Sequence, residues 1–440
     1  MPTPSVFETI RRASQRPEVR LGVFLGVLTL VVRLGIILGL RGQLTEDIDG
    51  YLAIARQMAD GNGFVNPGTG QPTAFRPPLY PILLAGWLTF GPAAIGVAVL
   101  HLCLSVGTVI LTYATGRRFG LSNTQSTIAG GLIAYDPLLA RYAALPMTET
   151  LATFLAVSLL FLSSGRNHDR RILRGIVFGL AVLCRPTFWV FGGLVVITWI
   201  VDRWRSRRMT ESTSVRAQIP WATVVAVAVI VFPWAIRNAI ALGKPVLMTT
   251  HGGYTLLLGN NPVFAREVVQ QPSGTVWGGE SLQRWQQSLE EAMRAEGIAI
   301  DDELARDQYL KDRAVRFIRS EPMTFLQACW LRFRRFWGMS PPESATHSIG
   351  QLWIRITGNA ESVAIVQGSV RWSVRVFYGV LFAAALWGGV RVAGRSNWRP
   401  VFGLVISLML VHLVYWSNAR MRAPTMPAIA LLAASVYRNE

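Results

Sequence analysis

Charged residues are scarce in this sequence. They make up 15% of the 440 residues, whereas a soluble domain usually carries about 25%. Hydrophobic residues account for 51% of the chain, and tryptophan and phenylalanine are frequent, with 15 and 20 residues. The composition excludes an ordinary soluble domain and predicts an all-α membrane protein that crosses the bilayer many times.

Cysteine and histidine are also rare. The three cysteines show no Cys-x-x-Cys spacing and the five histidines are scattered, so neither a disulfide framework nor a zinc motif is expected. The sequence has no repeat period of the kind that secondary transporters show. No cofactor is predicted, and a divalent metal has no support from these residues.

Acidic residues are few, with 25 against 43 basic ones, and the formal net charge is +18. In a membrane protein, basic loops mark the cytoplasmic side and attract anionic lipids. We therefore expect membrane lipids, and not nucleic acid, as partners of the positive charge. The basic loops, which all fall on one side of the predicted topology, are 1–20, 116–118, 166–174, 203–216 and 391–399.

Long apolar runs predict a helical bundle of about 10–11 spans, since a spanning helix needs about 20 apolar residues. The first run follows a basic start and lacks a small-residue cleavage site, so it is predicted to be an uncleaved signal anchor. One short pair of runs is broken at Cys184-Arg185-Pro186, which places Arg185 deep. The predicted spans are 21–41, 93–115, 124–141, 149–164, 172–184, 187–201, 218–240, 373–392, 400–417 and 424–437.

The stretch 242–372 is the part of the sequence that looks soluble or interfacial. Two amphipathic helices are predicted near 281–296 and 303–320, and 323–337 mixes aromatic residues with arginine, as an interfacial helix does. The predicted division is a cytoplasmic N-terminus at 1–20, a transmembrane core at 21–241 with a first external loop at 42–92, an extracytoplasmic or interfacial region at 242–372, and C-terminal transmembrane helices at 373–440.

An acid cluster stands out against the basic chain. In "TEDIDGYLAIARQMADGNGF" (45–64), Glu46, Asp47 and Asp49 fall within four residues, on the predicted outer side of the membrane. The residues that follow have helical periodicity, so either aspartate could cap a surface helix. Acids do not set topology, and the alternative to capping is a binding or reaction site at this face.

One arginine lies where a charge is energetically unfavourable, within the membrane. Several others lie at the same outer face. Arg185 lies beside a helix break within the membrane, where an arginine needs an anionic partner or must reach the interface. Arg237 ends one span at the outer face, and Arg420 and Arg422 begin the last one there. Together with Arg76 near the acid cluster, they could hold an anionic lipid head group beside a carboxylate.

These motifs resemble the GT-C glycosyltransferases, most closely the bacterial membrane mannosyltransferase-like proteins, related to protein O-mannosyltransferases and lipid A aminoarabinose transferases. The segment "EDIDGYLAIARQMADGNGF…TAFRPPLYPILLAG" resembles the first external loop of that family. "LPMTET" resembles its acidic second loop and "CRPT" its helix break. The segment 233–262, which ends in "GNNP", and "RMRAPTMPAIALLAA" resemble its later segments.

The resemblance implies a GT-C-like helix bundle that uses a polyprenyl-phosphate sugar as donor. The acceptor would be a lipid, glycan or protein outside the cytoplasm of a bacterial inner membrane, and transfer would proceed with inversion. The loop aspartate would be the base, which the family spacing assigns to Asp47 with Asp49 as the rival. The other implied site residues are Glu149 as a second acid, Arg76, Arg185, Arg237 and Arg422 for the donor phosphate, and Glu46, Tyr51, Tyr80 and Asn260.

Two other functions compete with this interpretation. One is a transporter or flippase for a lipid-linked saccharide, and the other is a non-catalytic assembly factor for surface polysaccharide. A transporter is expected to carry inverted repeats with charges at matching depths. Here the acids cluster at one face, which favours transfer of a sugar.

Overall fold

The protein is described by a computed structural model. The structure describes residues 17–164, 170–208, 221–272, 274–299, 301–341 and 343–436. The predicted basic N-terminus before residue 17, parts of the basic loops 166–174 and 203–216, and the last residue of the predicted span 424–437 lie outside the described residues. Among the described residues, the only β-pairing is an isolated bridge between Val65 and Pro72.

Helices dominate the described chain. They are α1 (Pro17–Gly39), α2 (Tyr51–Ala59), α3 (Leu79–Leu88), α4 (Ala93–Arg118), α5 (Asn123–Ala134), α6 (Pro137–Tyr142), α7 (Glu149–Ser163), α8 (Arg171–Cys184), α9 (Phe188–Arg208), α10 (Trp221–Leu242), α11 (Gly252–Gly259), α12 (Gly279–Ala295), α13 (Glu303–Ser320), α14 (Pro322–Phe336), α15 (Glu343–Thr357), α16 (Val363–Val392), α17 (Arg399–Val414) and α18 (Met426–Ala434). The predicted all-α fold is confirmed.

Five helical segments are long and apolar enough to cross a membrane. They are Pro17–Gly39, Ala93–Arg118, Trp221–Leu242, Val363–Val392 and Ser396–Val414, among the described residues. Their apolar side chains are largely exposed on the protein surface, as lipid-facing side chains are. These segments indicate a multi-pass membrane protein.

Two of the other apolar helices are short and lie inside the bundle. The helix α7 has 15 residues and is buried over most of its length, and it is about 22 Å long, less than the hydrocarbon thickness of about 30 Å. The helix α18 is buried at every position. Because residues 142–148 before α7 are buried as well, Glu149 begins α7 well inside the protein.

The predicted helix break is present. The helix α8 ends at Cys184 and α9 begins at Phe188, and Arg185 between them has extended backbone dihedral angles. Proline at position 186 disfavours a helical conformation for the residue before it. The break therefore turns the Arg185 side chain out of the helix line and toward the start of α7.

The predicted soluble region forms a second small core. The helices α12 and α13 match the two predicted amphipathic helices closely, and Trp285, Leu289 and Met293 line one buried face of α12 at helical spacing. The neighbouring α14 leaves Met323 and Trp330 exposed, as an interfacial helix does. The boundaries between the predicted segments remain a prediction.

A carboxylate joins this region to the first loop. Glu303, at the start of α13, accepts hydrogen bonds from the Thr73 hydroxyl at 2.7 Å and the Ala74 backbone N–H at 3.0 Å, and from the Thr250 hydroxyl. The first loop and the start of α11 are thus held together at one end of the bundle. Residues from both segments border the candidate active site.

Candidate active site

The two loop aspartates have different surroundings. Asp47 accepts hydrogen bonds from the backbone N–H groups of Leu52 at 3.0 Å and Ala53 at 2.7 Å. It therefore satisfies two free N–H groups of the first turn of α2, as a capping carboxylate does. Gly50, with φ of 76°, provides the left-handed residue that starts the helix. Asp49 is left to face the rest of the site.

Asp49 is part of a line of alternating charges. Its carboxylate lies 3.7 Å from the Arg76 guanidinium and 3.0 Å from that of Arg420. Arg420 in turn lies 3.7 Å from Glu149, whose same oxygen is 2.6 Å from Arg185. We call Arg76, Asp49, Arg420, Glu149 and Arg185 the charge row. Three cations face two anions, so the row has an excess of one positive charge.

Exposure changes along the charge row. The Glu149 side chain is fully buried and that of Arg185 is 13% exposed, whereas Asp49, Arg76 and Arg420 are 17 to 20% exposed. Arg185 also donates to the Thr148 hydroxyl at 2.8 Å. The deep end is therefore buried and paired, and the outer end, at Arg76, Asp49 and Arg420, is the more exposed end of the row.

The arginines keep Asp49 ionised. Burial by itself raises the pKa of this carboxyl, but the positive charges of Arg420 and Arg76 outweigh burial and hold its pKa below the usual 3.8. The negative charges of Glu149 and then of Asp49 raise the pKa of Arg420 against the effect of its burial. At neutral pH Asp49 and Arg420 are therefore both charged.

Aromatic residues and histidines surround the charge row. The ring of Tyr51 lies 5.4 Å from the Arg76 guanidinium carbon and meets Tyr80 edge-on at 5.6 Å. Tyr80 and His101 are hydrogen-bonded at 2.9 Å, and the other ring nitrogen of His101 lies 3.1 Å from the Ala143 carbonyl. Tyr51 therefore borders the row, and Tyr80 lies one layer deeper.

His251 closes the Arg76 end of the row. Arg76 donates to its Nε2 at 3.4 Å. Burial, and then the charge of Arg76, lower the pKa of His251 to about 3, so the ring is neutral. Because Nε2 accepts this hydrogen bond, Nδ1 carries the proton. Nδ1 is buried, and the described residues offer it no hydrogen-bond partner.

Several residues that the sequence assigned to the site lie elsewhere. Arg422 is buried against the Phe336 carbonyl at 2.9 Å, and its guanidinium carbon lies 4.3 Å from the Tyr378 ring centre. Arg237 donates to the Thr73 carbonyl at 2.6 Å and supports the first loop. Both arginines are therefore engaged with backbone carbonyls, outside the charge row.

Two further candidates are also outside the charge row. Asn260 is buried, donates to the Leu256 and Val414 carbonyls, and accepts from Arg332 at 2.7 Å. Glu46 is exposed, and the described residues show no contact between it and the row. Asn260 thus has a structural role in the connection between α11 and α17.

Two residues in or beside the charge row, Arg420 and His251, are not among the site residues that the resemblance implies. The sequence places Arg420 at the outer face beside Arg422, and the resemblance assigns Arg422 to the donor phosphate. These two arginines are separated by one residue in a 3₁₀ segment, and their side chains diverge. The sequence feature that points to His251 is its position before Gly252 and Gly253. Glycines are typical of places where two backbone segments approach each other closely.

The carboxylates of the charge row are not arranged to bind a divalent metal ion. Both carboxylates lie against guanidinium groups, which a cation would have to displace. In the part of the chain that the structure describes, no group of three or more histidine, cysteine, aspartate or glutamate side chains is placed to hold a metal.

Comparisons with solved structures identify the fold of this chain. No family model matches the sequence, and no curated protein matches it. The archaeal oligosaccharyltransferase AglB from Archaeoglobus fulgidus, solved with an inhibitory peptide and a dolichol-phosphate, superposes with a TM-score of 0.52 at 13% identity, covering 98% of this chain and 50% of that one. The chain has a GT-C fold.

A second structure of the Archaeoglobus fulgidus oligosaccharyltransferase, in the apo form, gives a TM-score of 0.51 at 14% identity, covering 95% of this chain and 50% of that chain. The chain therefore spans about half the length of these enzymes. The GT-C fold expected from the sequence motifs is confirmed, and at this identity the likeness concerns the fold.

Proposed function

We propose that the protein is a membrane glycosyltransferase that moves a sugar from a polyprenyl-phosphate donor to an acceptor, with inversion. The observation that carries the proposal is the outer end of the charge row, where a carboxylate and two arginines are partly open within a GT-C fold. Such a transfer needs a base for the acceptor and cations for the departing phosphate.

The donor phosphate fits Arg76 and Arg420. Both side chains are partly exposed, and the row has one positive charge more than its carboxylates neutralise. Charge-assisted hydrogen bonds from arginine to phosphate oxygens are among the stronger polar contacts in proteins. Arg185 is less suited to direct contact, because it already binds Glu149 and Thr148.

Asp49 is the better placed base. The acceptor hydroxyl gives its proton to Asp49, and the acceptor oxygen attacks the anomeric carbon of the donor sugar. The bond between the anomeric carbon and the phosphate oxygen breaks in the same step. One displacement inverts the anomeric configuration and needs no carboxylate nucleophile. The family spacing favours Asp47, but both Asp47 oxygens already accept backbone hydrogen bonds. Glu149 is fully buried and acts as a positioning residue for Arg185 and Arg420.

The cellular setting completes the proposal. The resemblance to bacterial mannosyltransferase-like proteins and the five basic loops support an inner-membrane location with the charge row on the extracytoplasmic side. The AglB structure contains a dolichol-phosphate, which supports a lipid-phosphate donor here. The acceptor is a lipid, glycan or protein at that face.

Arg420 tests the donor site. Changing Arg420 to glutamine removes the cation shared by Asp49 and Glu149, and we expect polyprenyl-phosphate sugar to bind at least about tenfold more weakly, as loss of a charged hydrogen bond predicts. The measurement is donor binding and transfer by the purified protein in lipid nanodiscs. Arg56→Gln, on the exposed side of α2, is the matched control and is expected to have no effect.

Unchanged donor binding in Arg420→Gln would contradict the proposed phosphate site. The donor sugar itself can be found by mass spectrometry of envelope glycans and lipids from cells with and without the gene. A missing sugar supports transfer. Accumulation of an intact lipid-linked saccharide on the cytoplasmic side, with no transfer activity in vitro, would instead favour the flippase alternative.

The acid limb of the pH profile tests the identity of the base. Because the pKa of Asp49 is held below its usual value, the carboxylate stays able to accept a proton as the pH falls from about 7 to about 5. Transfer limited by this base is therefore kept over that range and is lost only as the pH falls through the lowered pKa. The measurement is kcat/KM against pH, with the folded fraction followed at each pH. A limb near pH 6 to 7, roughly the range of an ordinary histidine, would assign the base to another group.

A further inference from the structure

A cavity of about 440 Å³ lies beside the charge row, between the first loop and the helices α12 and α13. This volume is within the range of small-molecule binding sites, which is roughly 300 to 1,000 Å³. Its walls include the aromatic side chains of Phe75 and Tyr254 and the amide of Gln286. No residue of the charge row lines this cavity.

One aromatic layer separates the cavity from the charge row. The Phe75 ring, which lines the cavity, lies 5.1 Å from the Arg76 guanidinium carbon and 4.3 Å from the His251 ring. Tyr254, which also lines it, lies 5.4 Å from the same histidine ring. The cavity therefore lies next to the Arg76 end of the row, with the Phe75 ring between them.

The negative charge of the cavity lining distinguishes the acceptor from the phosphate-bearing donor. Glu290, Asp301, Glu303 and Asp307 line it together with one cation, Arg306, in a chain whose net charge is +18. Carboxylates repel a phosphate, whereas the charge row attracts one. The donor phosphate is therefore directed to the row, and the cavity is left for a molecule without negative charge.

From the cavity, its aromatic walls and its excess of carboxylates, we infer that this is the acceptor site, and that the acceptor is a neutral or amine-bearing saccharide. Aromatic faces pack on the apolar faces of sugar rings, and amides and carboxylates accept and donate hydrogen bonds with hydroxyl groups. The inference rests on the proposed function for the assignment of acceptor and donor. The presence of a saccharide site in the cavity does not depend on it.

Binding of simple sugars tests the cavity directly. The probes are glucosamine, N-acetylglucosamine and glucose phosphate, added to the purified full chain in nanodiscs and followed by saturation-transfer NMR. We expect glucosamine and N-acetylglucosamine to bind and their binding to be weakened by Glu290→Lys, whereas the binding of glucose phosphate, which the charge row attracts, should not be weakened by that change. Absence of binding by the two phosphate-free sugars, or binding that is as insensitive to Glu290→Lys as that of glucose phosphate, would overturn the inference.

Two neighbouring glutamates on α12 provide a matched pair of variants. Both Glu290 and Glu291 are exposed, but only Glu290 lines the cavity. Glu290→Lys is expected to weaken glucosamine binding about fivefold or more and to raise the KM for the acceptor with the KM for the donor unchanged. Glu291→Lys, which makes the same charge change, is expected to leave both unchanged. Equal effects of the two changes would overturn the cavity assignment.

The two proposals can fail separately. Sugar binding that responds to Glu290→Lys, in a protein without transfer activity, would keep the saccharide site and reject the proposed transferase. Transfer that depends on Asp49 but is insensitive to Glu290→Lys would keep the transferase and reject the cavity as its acceptor site.

Discussion

Changing Asp49 to asparagine is expected to lower the rate of sugar transfer by about a hundred- to ten-thousandfold, the usual contribution of a general base. Asparagine keeps the size of the side chain but cannot take the proton of the acceptor hydroxyl. Arg76 and Arg420 remain, so the donor should still bind. The measurement is single-turnover transfer at saturating donor, together with donor binding.

Asp47→Asn is the comparison that separates the two aspartates. Its expected effect is a small loss of stability, because the side chain caps α2 through both carboxylate oxygens, whereas asparagine keeps one acceptor oxygen and is about as good a capping residue. Transfer per folded molecule should change little. The opposite pattern, with transfer lost in Asp47→Asn and kept in Asp49→Asn, would return the base to Asp47, as the family spacing indicates.

Changing Arg185 to alanine is expected to destabilise the protein by about 3 to 5 kcal/mol, which is typical when one partner of a buried ion pair is removed. Glu149 is fully buried, and after the change its nearest remaining cation is Arg420 at 3.7 Å. The measurement is the unfolding midpoint in detergent or nanodiscs. A variant as stable as the parent would show that Glu149 finds another partner or becomes protonated.

A second change identifies the cause of this loss. Removing both charges, with Glu149→Gln and Arg185→Gln, should cost much less than the single change, because no buried charge is left unpaired. The pair Arg399–Asp202 is the control, since both side chains are about half exposed, at 51% and 49%. Arg399→Ala is expected to cost about 0 to 1 kcal/mol.

These effects have consequences for the donor-binding role that the sequence assigns to Arg185. Reduced donor binding in Arg185→Ala is still expected to exceed any loss of acceptor binding, because Arg185 holds Glu149, which faces Arg420. The effect must be measured on folded protein. Otherwise the loss of stability would be read as a loss of donor affinity.

Sequence patterns were sufficient for those parts of the fold that depend on local chemistry. The helix break at Arg185, the surface helix after the acid cluster and the helices α12 and α13 follow from proline, capping and apolar periodicity. The number of long spans was less predictable. Apolar runs such as α7 and α18 are apolar because they are buried in the bundle, and composition alone does not separate this from contact with lipid.

The choice among neighbouring polar residues could not be made from the sequence. Asp47 and Asp49 are two residues apart, as are Arg420 and Arg422, and in each pair one side chain faces the charge row while the other binds backbone groups. That division depends on segments that are distant in the sequence, since Asp49 meets Arg420, 371 residues away, and Arg422 meets Phe336, 86 residues away. Spacing identified the right neighbourhood, and tertiary packing determined which member of each pair is in the row.

The position of Arg420 between two carboxylates has a consequence for the order of binding in the transfer that we propose. Arg420 neutralises Asp49 and makes it a weak base. A donor phosphate that takes hydrogen bonds from Arg420 would weaken this pairing and make Asp49 more basic. The proposal therefore predicts an ordered mechanism in which the donor binds first, so that the acceptor hydroxyl is activated only when a sugar is in place.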